Sequence, residues 1–184
     1  MKNRTQYICV TAVGIAMFVV FSLCLQVPVF ENYYLCLGYV AMVVYCYSFG
    51  AVSGTIVGVL GVALYCLVIN GLRGLPGWAL GNVVIGIALG MTFKRTKTMQ
   101  KTGVKTAINA VAIILSVTVG ILGVKSIAES ILYLQPFLVR VGKNFYAWIA
   151  DMVVLLVSLP ICMTLDKTVR KMFPKLVKTE DVKA

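Results

Sequence analysis

Residues 51–69 read AVSGTIVGVLGVALYCLVI, nineteen positions without a charged side chain. At 1.5 Å per residue such a run makes a helix of roughly 28 Å, close to the roughly 30 Å hydrocarbon thickness of a bilayer. Its glycines at 54, 58 and 61 recur at near-helical spacing, the pattern that lets helix backbones approach closely where lipid supplies little hydrophobic drive for association. Lipid is therefore the solvent this stretch is built for. The rest of the chain agrees: 60% of its 184 residues are hydrophobic, only 12% are charged, and the mean hydropathy is +0.95. So few polar side chains cannot cover a water-soluble globule of this size.

Outward from 51–69, apolar length predicts six membrane helices in a single all-α domain over 1–184: about 7–25, 33–49, 51–69, 77–93, 106–134 and 144–165. Only Phe49 and Gly50 separate the second from the third, which predicts a tight antiparallel helical hairpin. The soluble segments are a basic loop at 94–105 and a basic tail at 166–184. Six crossings put both termini on one side. That side carries thirteen of the seventeen Lys and Arg residues, whereas the other carries Arg73, Lys125, Arg140 and Lys143. Cytoplasmic loops hold the cation excess of membrane proteins, so both termini are expected in the cytoplasm. The net charge of +11 then reads as topology and contact with anionic lipid, not as a nucleic-acid surface.

Several function classes lose their residues. There is no histidine, and the six cysteines lie in or beside apolar runs without a Cys-x-x-Cys pair, as expected of small apolar helix fillers. Zinc, haem and Ser/His/Asp chemistry therefore lack their usual groups. The glycine-rich region 50–90 is followed by no Gly-Lys-Ser/Thr, and the carboxylates stand on separate elements. Neither an enzyme nor a cofactor is expected.

Polar residues inside the apolar runs are more informative, because a charge at the centre of a crossing costs about 2.5–3.5 kcal/mol and must face the bundle interior or a wet cavity. Asn144, Trp148 and Asp151 follow i, i+4, i+7 spacing on the sixth helix; Trp78 and Asn82 share a face of the fourth, and Lys125 and Glu129 a face of the fifth. The first outer loop adds Asn32 and Tyr34, and the second adds Arg73. All gather toward the outer end, as a site for a small, flat, polar ligand requires. The plainer reading makes the aromatics interfacial anchors and Lys125–Glu129 a helix-end ion pair. Asp151 has Lys125, Arg73 and Arg140 as candidate partners. Ala12 and Ala16 on the first helix either seat it on a neighbour or offer a strip to another membrane subunit.

These residues resemble the S component of an energy-coupling factor (ECF) transporter. Ala12-x-x-x-Ala16 stands in the first helix, where that family carries its docking motif. Pro28-Val-Phe-Glu-Asn-Tyr-Tyr-Leu-Cys-Leu-Gly-Tyr39 followed by Phe49-Gly50-x-x-x-Gly54-x-x-x-Gly58 is similar to the progression through its second and third helices, although Ala51 stands where many members have proline. The resemblance implies a multi-pass protein of a prokaryotic plasma membrane. Such a protein captures a vitamin or related heteroaromatic micronutrient from outside, whether a queuosine precursor, riboflavin or a pyridoxine-like molecule. It then docks through Ala12 and Ala16 on a membrane coupling subunit that carries two ATPases, which alone hydrolyse ATP. The implied pocket residues are Asn32, Tyr34, Arg73, Trp78, Asn82, Lys125, Glu129, Asn144, Trp148 and Asp151. Two alternatives remain open: a self-sufficient ion-coupled carrier, for which the repeated halves usual in such carriers are not found, and a ligand-free structural membrane subunit.

Overall fold

The structure, a computed structural model, describes residues 2–24, 27–30, 33–69 and 71–174. The elements run α1 (Lys2–Cys24), β1 (Val27–Phe30), β2 (Tyr33–Leu35), α2 (Gly38–Val68), a 3-10 turn (Leu72–Gly74), α3 (Leu75–Lys97), α4 (Thr102–Val117), a π-helical segment (Thr118–Lys125), α5 (Ser126–Tyr133) and α6 (Phe137–Met172). The two strands form one short antiparallel hairpin, with Val27 opposite Leu35 and Pro28 opposite Tyr34. That hairpin is the exception to the all-α class expected from sequence.

Among the described residues, five helical stretches are long and apolar enough to cross a membrane: Arg4–Cys24, Gly38–Val68, Leu72–Lys97, Thr102–Tyr133 and Phe137–Met172. The sequence predicts six, and the difference lies at Gly50. Inside α2, Gly50 leaves helical geometry at φ 87° and ψ −178°, a region that residues with a Cβ essentially never enter. Beyond it, Gly54 packs directly on Cys46 and Gly58 on Met42. In a straight helix those partners would stand roughly 12 and 24 Å apart along the axis. The chain therefore doubles back at Gly50, and α2 consists of two antiparallel arms.

The boundaries also move. α3 continues to Lys97 and α4 begins at Thr102, leaving only four residues of the expected basic loop 94–105. Helical hydrogen bonding persists past the apolar limit, and Lys94, Arg95 and Lys97 in the last turn of α3 suit the negative end of its dipole. Likewise α6 starts at Phe137, directly after Pro136, instead of near 144. It is preceded by Leu134, which ends α5 in left-handed geometry at φ 51°.

The core forms where α2, α3 and α6 meet, around Tyr39, Met42, Tyr47, Leu89, Phe93 and Leu155. α1 seats on α2 through Thr11, Gly14, Phe18 and Ser22, which are buried on one face of the helix. Gly14 lies against the Tyr45 ring, and the Tyr45 hydroxyl donates to the Val10 carbonyl at 2.7 Å. Phe18 meets Tyr39 edge to face, with ring centroids 6.0 Å apart. Ala12 and Ala16 lie on the opposite, exposed face of α1, so neither seats the helix within this chain.

α3 packs antiparallel on the second arm of α2 so closely that a side chain at Gly90 would collide with the Ala51 backbone. Gly90→Leu is expected to lower stability by about 1–3 kcal/mol or more through overpacking. Gly142, helical, exposed and with open space around it, provides the contrast: Gly142→Ala is expected to gain about 0.5–1 kcal/mol. Thermal unfolding of the detergent-solubilised variants reads both, and equal melting points for the two would refute this packing.

Candidate functional site

Both ends of α2 lie at the same end of the bundle because the helix reverses. There they meet the end of α1, the start of α3, the end of α5 and the start of α6 around a cavity of about 310 Å³. Five of the ten residues named from sequence line it: Trp78, Lys125, Glu129, Asn144 and Asp151. Asn32 lies outside the described residues, as does the side chain of Tyr34. Arg73 is exposed in the turn before α3; its backbone carbonyl accepts a hydrogen bond from the Tyr133 hydroxyl.

Asn82 and Trp148 are placed elsewhere. Asn82 is fully buried and spends both ends of its amide on structure: the Tyr39 hydroxyl donates to Oδ1 at 2.8 Å, and Nδ2 donates to the Gly58 carbonyl at 3.0 Å. The chain extends outward from there, because Trp78 Nε1 donates to the Tyr39 hydroxyl at 2.8 Å. A line of hydrogen bonds thus runs from the backbone of α2 to the indole, and the Tyr65 ring meets that indole edge to face at 5.8 Å. Trp78 is held rigid as a wall of the cavity. Trp148 instead donates to Thr118 Oγ1 at 3.0 Å and stacks on Phe145 at 5.3 Å.

The true cavity face of α6 is Arg140, Asn144, Ala147 and Asp151, which is i, i+4, i+7, i+11 spacing. A sequence reading that begins the helix at 144 names Arg140 only as a candidate partner of Asp151; extending the face one turn backward places it in the cavity, where it pairs with Glu129 instead. Tyr65, Tyr133, Ser22, Cys36 and Cys66 also line the cavity, and no spacing signal marks them.

The four charged groups divide into two sets. Glu129 Oε2 accepts from Asn144 Nδ2 at 3.0 Å and lies 3.8 Å from the Arg140 guanidinium, which rests 4.1 Å from the Tyr133 ring centroid. Asn144 Nδ2 also reaches Ser126 Oγ at 3.1 Å. This half neutralises itself. On the other side, the Lys125 ammonium lies 5.8 Å from the centre of the Trp78 ring. Asp151 is flanked by the Tyr39 hydroxyl and faces the Lys125 charge. Among the described residues, ion pairs within 4.0 Å join Lys97 and Arg170 to Asp166 and Arg140 to Glu129, and none includes Lys125 or Asp151. The expected Lys125–Glu129 pair is thus replaced by separate partners. The same residues gather no group of three metal-ligating side chains.

Lys125 closes the π-helical segment Thr118–Lys125, where Ser126 Oγ reaches back five residues to the Ile121 carbonyl at 3.2 Å. The wider turn shifts the register of everything after it, so that Lys125 and Glu129 both reach the cavity. Wide turns of this kind concentrate at functional sites.

Asn82→Leu would remove two buried side-chain hydrogen bonds, the one from the Tyr39 hydroxyl and the one to the Gly58 carbonyl, which keeps its helical partner. Each lost bond costs about 0.5–1.5 kcal/mol, so the expected result is a drop in melting temperature and a loosened Trp78, read as a shift in tryptophan emission. An unchanged melt and spectrum would show that Asn82 does not anchor the indole.

The model of the family described as "ECF-type riboflavin transporter, S component" matches residues 2–167 of the chain. No curated protein and no solved structure matches it.

Proposed function

The chain belongs to the family of ECF-type riboflavin transporter S components, and from that premise we propose that the cavity beside Trp78 captures a vitamin-like heteroaromatic micronutrient. As a member of this family the protein is a substrate-binding transporter subunit in the membrane and not an enzyme. The riboflavin of the family's description, a queuosine precursor and a pyridoxine-like molecule are the candidate ligands. The observation that carries the reading is the held indole with two cations, two carboxylates and an amide around one hollow. Buried charges in a membrane protein are costly and mark solute sites by default.

Counting the two arms of α2 as separate crossings gives six, with both termini on the cytoplasmic side. The cavity then opens to the exterior, opposite the basic turn between α3 and α4. Capture from outside is followed by delivery through a partner: the exposed Ala12 and Ala16, with Val13 and Val20 beside them, offer a shallow strip on which another membrane helix can lie closely. That partner is the coupling subunit with its two ATPases, which hydrolyse ATP for the transport step. The host membrane is a prokaryotic plasma membrane.

Two substitutions separate capture from delivery. Trp78→Ala is expected to abolish the retention of small molecules by the detergent-purified protein, detected by mass spectrometry after denaturation. Ala16→Trp is expected to leave that retention intact while eliminating co-purification of the coupling subunit and cellular uptake. Docking that survives Ala16→Trp would remove the role given to α1, and retention unaffected by Trp78→Ala would remove the site.

A further inference from the structure

The cavity's charges specify more than a flat ring. Glu129 and Arg140 compensate one another, and Glu129 is further held by Asn144. What remains is the buried Asp151 carboxylate on α6 and the buried Lys125 ammonium at the end of the π-helical segment, both on the cavity wall and not joined to each other within 4.0 Å.

Beyond one another, the charges their described neighbours supply are those of Glu129 and Arg140, already paired at 3.8 Å. The Tyr39 hydroxyl lies between Asn82 Oδ1, at 2.8 Å, and Asp151, so its single proton is shared between two acceptors and brings Asp151 no positive charge. Cys36 is paired with Ser22 at 3.3 Å between Sγ and Oγ. The Trp78 indole proton is committed to Tyr39. Lys125 has the π face of Trp78, which attracts a cation but accepts none of its three N–H groups in the plane of a lone pair. Two unlike charges therefore stand on one cavity wall, buried, and neither is closed into an ion pair within 4.0 Å. The complement of such a wall is a solute with a cationic group and an acceptor edge set apart at matching distance.

We propose that the cavity selects a dipolar ligand: a protonated nitrogen is received by Asp151 and a carbonyl, phenolate or carboxylate oxygen by Lys125. This rests on the reading of the cavity as the capture site and narrows it, since a ligand without a basic nitrogen, riboflavin included, leaves Asp151 uncompensated. The small volume, about 310 Å³, stands at the lower end of the roughly 300–1,000 Å³ usual for small-molecule sites, so the solute is compact. Specificity follows from the same charges: a solute with two anionic ends meets Asp151, and one with two cationic ends meets Lys125.

The test combines two isosteric variants with three probes. Binding of pyridoxamine, pyridoxine and riboflavin to the full-length protein is measured by calorimetry and thermal shift. Small molecules retained through purification are identified by mass spectrometry. Pyridoxamine and pyridoxine share a ring and differ in an ammonium against an alcohol. The expected result is that pyridoxamine or a retained molecule with a basic nitrogen binds best. Asp151→Asn should weaken that molecule by about 30-fold or more, as for a buried charge pair that loses one partner. Lys125→Met should do the same, while the exposed Arg73→Gln changes nothing. Unchanged melting points without ligand confirm that the variants fold; should Lys125→Met melt early, Lys125→Gln replaces it.

Riboflavin or another molecule lacking a basic nitrogen, bound equally well by wild type and Asp151→Asn, would overturn the dipolar assignment and leave capture intact. No retained molecule and no shift with any of the three probes would overturn the capture reading, and this inference with it.

Discussion

One backbone reversal organises this molecule. At Gly50 the chain turns through a geometry reserved for glycine, and the two arms of α2 then zip together with Gly54 on Cys46 and Gly58 on Met42. Because of that reversal the segment before α2 and the segment after it arrive at the same end of the bundle. Cys36 and Cys66, thirty positions apart, line one cavity. A straight helix would have carried them to opposite ends, and no pocket between α1, α3 and α6 would have closed.

Lipid then dictates what may stand around that pocket. Backbone groups are satisfied within helices, and side-chain charges are tolerated only where they face one another or a hollow. The chain places its charged groups at its two ends. At the turn between α3 and α4, Lys97 and Arg170 meet Asp166 at 3.9 and 2.7 Å, and Lys97 and Lys105 both lie near the Tyr47 ring, 5.4 and 5.3 Å from its centre. At the other end, four charges among the described residues line the cavity. The first cluster sets three cations around one carboxylate and one ring, whereas the second holds one compensated pair and one pair not joined within 4.0 Å.

α1 shows the same economy on its two faces. Thr11, Gly14, Phe18 and Ser22 commit one side to α2, and Phe18 and Ser22 continue to the cavity end, where Ser22 meets Cys36. The other side is smooth and small at Ala12 and Ala16. A helix that both borders the site and presents an outward strip is well placed to connect ligand capture with partner contact, since any tilt of α1 moves both.

Apolar run length by itself pointed to the helical membrane class, and the Phe49-Gly50 break to the reversal inside α2, because hydrocarbon thickness is a constraint that a linear sequence displays directly; the helix ends at Lys97, Thr102 and Phe137 it did not place. It also brought Trp78, Lys125, Glu129, Asn144 and Asp151 to attention, since a polar group in a lipid-length run has few places to face. Only the tertiary structure decided which of the polar groups are spent on folding. Asn82 is consumed by Tyr39 and Gly58, Trp148 turns to Thr118, and Arg140 enters the cavity from a turn of α6 that lies beyond the apolar stretch. These outcomes depend on helix rotation and on the wide π turn before Ser126, and both are set by contacts between segments far apart in the chain, which one-dimensional spacing does not encode.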